Sequence, residues 1–532
     1  MTTLAASGSS ARMSYADAIE CLNSLQSNAA TISTIRANGG KLGKFAIPES
    51  IDYLKRVGYT PEDLDILNVI HITGTKGKGS ASAFCSSILT NLAPTAKIGL
   101  YTSPHLVAVR ERIRINGKPL EEEQFAKYFF EVWDRFEKNK ERIYEHTTEK
   151  PAYFRYLTTM AFHVFLQEKV DATILEVGIG GTYDSTNVVP TPLTTGITAL
   201  GLDHIFVLGK TLEEIAHQKG GIYKCDVPAF SVAQPPGALQ VSSFTIVPEH
   251  PQMKDLKLGL AGDHQRSNAS LAVALVQSFL SSPSLPSAFQ THALENPFLE
   301  SLGIASSPVA SQMDASLISP PRLPHQIIEG LQDARWPGRC QIVEDRQPRR
   351  KGTRWFLDGA HTVESLLCCG EWFVEASHLT RAKERVLVFN CTSGRSAESL
   401  LSSLVSAMAG RRRKLGHKPD EARPFDEVIF CTNVTYSSGG YKGDLTSRAV
   451  DDKDLAALTV QHELAAAWKK LEEPSDSSTY SACRIHVLPS IQDAVELISK
   501  INVIGQGADV LVTGSLHLIG GVFEVAELQF AL

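Results

Sequence analysis

The stretch "NVIHITGTKGKGSASAFCSSIL", Asn68 to Leu89, constrains the fold more than any other. It opens with a run of aliphatic and β-branched residues, the pattern of a buried parallel strand. It continues into small and apolar residues at helical spacing, with Pro94 beyond the end. The glycines therefore fall at a strand-to-helix turn. Exposed amides and the positive end of the helix dipole both favour an anion there. The spacing is not that of a standard Walker A loop, G-x-x-x-x-G-K-[ST]. Counting back from Gly77-Lys78, the first glycine would fall on Ile72, and Gly79 separates the lysine from Ser80. Two readings fit these residues. One is a phosphate loop in which Gly74, Gly77 and Gly79 let the backbone approach phosphate oxygens and Lys78 supplies the charge. The other is a helix-entry turn that needs only glycine conformations.

A chain of 532 residues points to more than one domain. A net charge of -6 gives no reason to expect nucleic acid or an acidic membrane as partner. No apolar run reaches the length of a membrane span. The nine cysteines lack the paired spacing of a zinc site, which fits free thiols in a reducing compartment. "MTTLAASGSSARM" has no secretory core. A flexible tail over 1–14 is expected, with a weak mitochondrial presequence as the alternative.

Strands alternating with helices from Asn68 to Leu200 indicate an α/β domain with a mostly parallel sheet. A Ser/Pro-rich insertion is expected over about 278–324, with the first domain spanning 15–325 and a second α/β series spanning 326–532. "GRRRKLGHKPDEARP" reads as a solvated loop. In parallel sheets, ligands gather beyond the carboxyl ends of the strands. Glu176, Ser103 and Asp203-His204 follow strand-like runs there, and a carboxylate at such an end suits Mg²⁺ on a nucleotide. Each alone is equally well a turn or capping residue. Lys219 ends a short helix before Gly220-Gly221, which a simple helix C-terminal preference also explains. "RWPGR" and "DGAH" offer Arg339, Asp358 and His361 from the second series, so a site between the domains is expected.

The ordered set "GTKGKGS", "YTSPHL", "RERIRING", "LEVGIGGTYDSTN", "GLDH", "TLEEIAHQKGGI", "GDHQRSNA", "WPGR" and "DGAHT" resembles folylpolyglutamate synthase, of the Mur ligase superfamily. The late "GSLHLIGG" extends the likeness to nearly the whole chain. The resemblance implies an N-terminal P-loop ATPase-like domain and a smaller Rossmann-like C-terminal α/β domain. It implies that the backbone of Gly74, Thr75, Lys76, Gly77, Lys78, Gly79 and Ser80, with the Lys78 side chain, holds the phosphates of ATP, the co-substrate. Two Mg²⁺ ions are implied, one on Ser103 and Glu176 and one on Glu176, His204 and a carbamylated Lys219. Asn268 resembles the adenine contact. Arg339 and Asp358 resemble phosphate and ribose contacts, with His361 beside them. A K⁺ ion is also expected from the family.

The chain departs from the family's common E-K-A-G-I at Gln218 and Gly220, and it carries Arg155 where bacterial members often have glutamate. Arg155 and "DGAHT" look like the eukaryotic branch. The implied activity is ATP-dependent addition of L-glutamate to reduced folates through an acyl phosphate. The alternatives are a dihydrofolate synthase acting on dihydropteroate and a non-catalytic ATP-binding module. The module reading predicts loss of Lys78, Glu176, His204 or Lys219, and all are present. No N-K-x-D guanine motif occurs. A cytoplasmic monomer is expected, with mitochondria as a further location.

Overall fold

The computed structural model describes residues 14–27, 43, 45–145, 147–236, 238, 244–293, 322–378, 384–391, 396–416, 424–445, 456–472, 483–501 and 507–531. The expected tail and much of the expected insertion lie outside them. Two sheets organise the chain. The first contains β1 (Val69–Thr73), β2 (Ile98–Tyr101), β3 (Ile113–Ile115), β4 (Lys118–Pro119), β5 (Ala172–Glu176), β6 (Thr194–Ile197), β7 (Ala229–Val232) and β8 (Thr245–Val247). Their order is β4-β3-β2-β5-β1-β6-β7-β8, and only the β2–β3–β4 edge is antiparallel.

β1 is central and buried along its whole length. Side chains alternate across a strand. Ile70 and Ile72 thus enter one core, packed by helices Lys78–Leu92, Gln265–Leu280 and His325–Asp333. Val69 faces the other, covered by Tyr15–Ser24, Ala46–Arg56, Glu122–Lys138 and Tyr153–Glu168. Both faces of a parallel sheet need such cover. Ile72 pairs with Glu176, and Thr73 with Ile197, so the carboxyl ends of β1, β5 and β6 finish level.

The second sheet contains β9 (Gln341–Glu344), β10 (Arg354–Leu357), β11 (Glu384–Phe389), β12 (Glu427–Cys431), β13 (Arg484–Leu488) and β14 (Ala508–Thr513). Its order is β13-β12-β11-β14-β10-β9, parallel except for β9. Helices cover both faces again. Asp345 is the buried polar pin beside β10. It accepts from Arg350 Nε at 2.6 Å and Trp355 Nε1 at 2.8 Å. Replacing it leaves a buried guanidinium unpaired, so Asp345→Ala should cost about 3–5 kcal/mol, measured by denaturant unfolding.

Three expectations change. The basic run Arg411–Lys414 is the last turn of helix Ala397–Lys414, not a loop, and cations suit that end of a helix. Part of the expected insertion is packed: Phe289 is fully buried, its ring 5.2 Å from that of Phe279. Helix His325–Asp333 also belongs to the first core, where Gly330 lies against the backbone of Ile88. The packing therefore changes hands at the "WPGR" stretch, later than the expected boundary at 325. Strands β7, β8, β9 and β13 were not anticipated. No helix among the described residues is long and apolar enough to cross a membrane.

Candidate active site

The glycine loop stands where β1 ends and helix Lys78–Leu92 begins. Thr75 and Lys76 donate their amides to Ala199 O at 2.9 and 3.0 Å, which ties the loop to the end of β6. Gly74 has a φ of +146°, and a Cβ there would sit 1.8 Å from Thr198 Oγ1. Gly77 has a φ of +93°, and its Cβ would sit 2.1 Å from Asn268 Oδ1. Asn268 projects from helix Gln265–Leu280 and is itself held by Gln265 at 2.9 Å. At Gly79 a Cβ would meet Trp336 Nε1 at 2.9 Å. Ser80 is buried in the first turn of the helix.

Two lysines reach one acceptor. Lys78 Nζ and Lys219 Nζ donate to Gly74 O at 3.0 and 2.8 Å. Lys219 is only 3% exposed, at the end of helix Leu212–Gly220. Burial, then the charge of Lys78, push its pKa well below the usual lysine value, which favours the neutral amine. A Cβ at Gly181 would sit 2.7 Å from Lys219 O, so the glycines after β5 admit this helix.

Glu176 is buried and accepts from the Ser103 amide at 3.0 Å. Burial raises its pKa, opposed by Lys78, the Ser103 amide, Arg339 and Arg112. Ser103, Glu176, Glu111 and Arg114 from the first sheet unit line a cleft with Trp336 and Arg339. His204 takes a left-handed conformation at the start of the turn Ile205–Leu208, and burial lowers its pKa.

The second sheet unit meets the loop through His361. Its Nε2 lies 3.3 Å from Lys76 Nζ, while Nδ1 lies 2.8 Å from Gly359 O. A carbonyl only accepts, so His361 carries a proton on Nδ1, while Nε2 faces both Lys76 Nζ and, at 3.9 Å, Asp203 Oδ2. Asp203 Oδ2 sits 3.5 Å from Lys76 Nζ. Asp358 accepts from the amides of Cys340 and Ala360 at 2.8 and 3.0 Å, bracing the turn that carries Arg339. The expected residues thus gather at the level ends of β1, β5 and β6 and at the facing edge of the second sheet. Trp336 and Arg114 also line this cleft, stacked 5.2 Å from guanidinium carbon to ring centre; the "WPGR" motif marks the first of them, and no local signal in the sequence marks the pair.

These residues suit Mg²⁺. A buried carboxylate, a hydroxyl and a phosphate loop are hard oxygen donors, and Mg²⁺ characteristically takes one or two carboxylates plus phosphate oxygens and waters. Among the described residues no cluster of three or more His, Cys, Asp or Glu could hold a metal unaided. Phosphate oxygens would have to complete the shell.

No family model matches the chain. In fold it is similar to the Mycobacterium tuberculosis folylpolyglutamate synthase complexed with ADP, with a TM-score of 0.64 and 19% identity over 96% of this chain and 99% of that one. It is also similar in fold to E. coli FolC in complex with DHPP and ADP, with a TM-score of 0.57 and 21% identity over 95% and 99%. The folylpolyglutamate synthase of Saccharomyces cerevisiae strain FostersO is 41% identical over 529 residues, covering 96% of this chain and 87% of the relative. At that identity over that length, with the glycine loop and its partners in place, the chain belongs to the folylpolyglutamate synthase family.

Proposed function

We propose that the chain joins L-glutamate to the terminal glutamate carboxyl of a reduced folate at the expense of ATP. The observation that carries this reading is the convergence of Lys78 and Lys219 on Gly74 O, beside Glu176 and across from His361. A carboxylate does not accept an amine at neutral pH unless it is activated. Transfer of the γ-phosphoryl group to that carboxylate gives an acyl phosphate and ADP. The glutamate amine then attacks the acyl carbon, phosphate leaves, and the nitrogen loses its proton.

In this scheme the loop amides and Lys78 hold the phosphates, and Arg339 adds charge from the second sheet unit. Catalysis is then mostly positioning and electrostatics. Mg²⁺, held by Ser103 and Glu176 and by Glu176, His204 and modified Lys219, would neutralise charge on the transferring group. His361 presents Nε2 at the same face, within reach of Lys76 and Asp203. Closure of the two sheet units over the cleft would limit water, to which an acyl phosphate is vulnerable.

Product mass tests the reading. The protein would be incubated with MgATP, L-glutamate and tetrahydrofolate, and in parallel with dihydropteroate in place of the folate. A ladder of glutamyl additions in the first tube only is the expected result. Product only from dihydropteroate would keep the chemistry and change the acceptor. No product from either, with ADP still bound, would leave a nucleotide-binding module.

A further inference from the structure

The loop from Thr102 to Arg112 leaves β2 and carries Ser103, yet it is buried against the second sheet unit. Leu106 and Val107 are members of the core built on β10, β11, β12 and β14. Helix Leu516–Val525 comes so near that a Cβ at Gly520 would sit 1.9 Å from Leu106 O. Within the loop, Glu111 accepts the amides of Leu106, Val107 and Ala108 at 3.0, 2.9 and 2.6 Å. The loop is therefore stiff, and what holds it from outside decides where Ser103 stands.

Asp444 holds it from outside. This residue lies in the turn Gly443–Leu445, beyond β12, and is 9% exposed. Its Oδ1 accepts from the amide of Val109 at 2.7 Å and from the Tyr15 hydroxyl. Its carbonyl is 2.8 Å from His105 Nε2, and Arg112 Nε donates to His105 Nδ1 at 3.0 Å. A guanidinium only donates, so His105 is neutral with its proton on Nε2, and it donates to Asp444 O. Burial, with Arg112 and His517 nearby, holds its pKa well below the usual value. One residue thus grips the loop at His105 through its main chain and at Val109 through its side chain. Asn23 Nδ2 donates to Gly443 O at 2.9 Å, which fastens the same turn to the first helix.

At the near end of the clamped segment, the Ser103 amide bonds Glu176. We propose that Asp444 is a positioning residue for the reaction: by clamping His105 and Val109 it fixes Ser103 against Glu176. The second sheet unit thereby sets the geometry in which the cation is held. The proposal rests on the placement of the cation at Ser103 and Glu176. The competing account is a pin that only joins the two sheet units and leaves the cation site alone.

The test uses the full chain with ADP and Mn²⁺ as the paramagnetic probe. Mn²⁺ affinity is read by electron paramagnetic resonance, alongside kcat, KM and melting temperature. Asp444→Ala removes the grip on Val109 and leaves the main-chain bond to His105. It should therefore weaken Mn²⁺ binding by up to about tenfold, the scale of groups bonded directly to a metal ligand. It should lower kcat while the KM for glutamate stays put. Asp444→Asn keeps an oxygen acceptor for Val109 and Tyr15 and should recover most of both losses. A lower melting temperature with wild-type Mn²⁺ affinity and kcat overturns the proposal in favour of the pin. If Asp444→Ala does not fold, Tyr15→Phe removes one bond to the carboxylate. It should shift Mn²⁺ affinity in the same direction by less, and an unchanged affinity overturns the clamp. A wild-type protein that binds no Mn²⁺ overturns the cation placement instead.

Discussion

Lys219→Ala should lower kcat by about 10²–10³-fold, the scale of removing one preorganised charge from a reacting centre, while ADP affinity stays close to wild type. The phosphate loop keeps Lys78 on Gly74 O after the change, so the nucleotide loses little. What is lost is an amine that burial and Lys78 hold toward its neutral form. A neutral amine attacks CO₂, giving a carbamate and releasing a proton. The added carboxylate would be a second anionic ligand beside Glu176. Arginine has no such neutral form, so Lys219→Arg should be as inactive as the alanine variant. Stripping CO₂ and bicarbonate should reduce wild-type turnover, and adding them back should restore it. Near-normal, bicarbonate-independent turnover by Lys219→Ala would remove the carbamate from the scheme.

Gly77→Ala should weaken ADP binding by at least about tenfold, which needs only about 1.4 kcal/mol. The φ of +93° alone costs a side chain about 1–2 kcal/mol. The added Cβ would also stand 2.1 Å from Asn268 Oδ1. Either Asn268 gives way or the loop does, and both line the expected nucleotide site. Calorimetric titration with ADP reads the loss, and a melting curve reads the strain. Gly220→Ala is the matched control. Nothing lies within 4 Å of a Cβ at Gly220, at the end of a helix in which alanine is the better former. That variant should bind ADP normally and melt no lower. Wild-type ADP affinity in Gly77→Ala would argue against a close phosphate approach at this glycine.

Much of this site was legible because its signals are local. The run ending at Thr73 is a strand because both faces are covered, and the glycines after it are needed where Thr198 and Asn268 crowd the backbone. Glu176 could be placed because it closes an apolar run, and the chain-wide resemblance joined it to Ser103, His204 and Lys219. The misses come from information that is not local. "AFSV" and "TIV" are short strands toward one edge of the sheet, with partly exposed residues and weak alternation. Arg411–Lys414 looked like a loop because charge outweighed helical continuity, yet the last turn of a helix accepts such charge. "YKGDL" gives no hint that Asp444 bonds Val109, 335 positions earlier in the chain. Likewise, "WPGR" stood out as a motif, but not as the place where the chain passes from one core to the other.

The shared acceptor at Gly74 has a cost that the chemistry conceals. A lysine 3% exposed, with the Lys78 ammonium bonded to the same carbonyl, is a poor way to stabilise a fold. An apolar side chain of similar length would pack there without burying an amine. Under the proposed mechanism, the most thermostable form of this architecture and its working form would therefore be different sequences. Selection for heat resistance alone would favour replacing this lysine, whereas the proposed carbamate requires it.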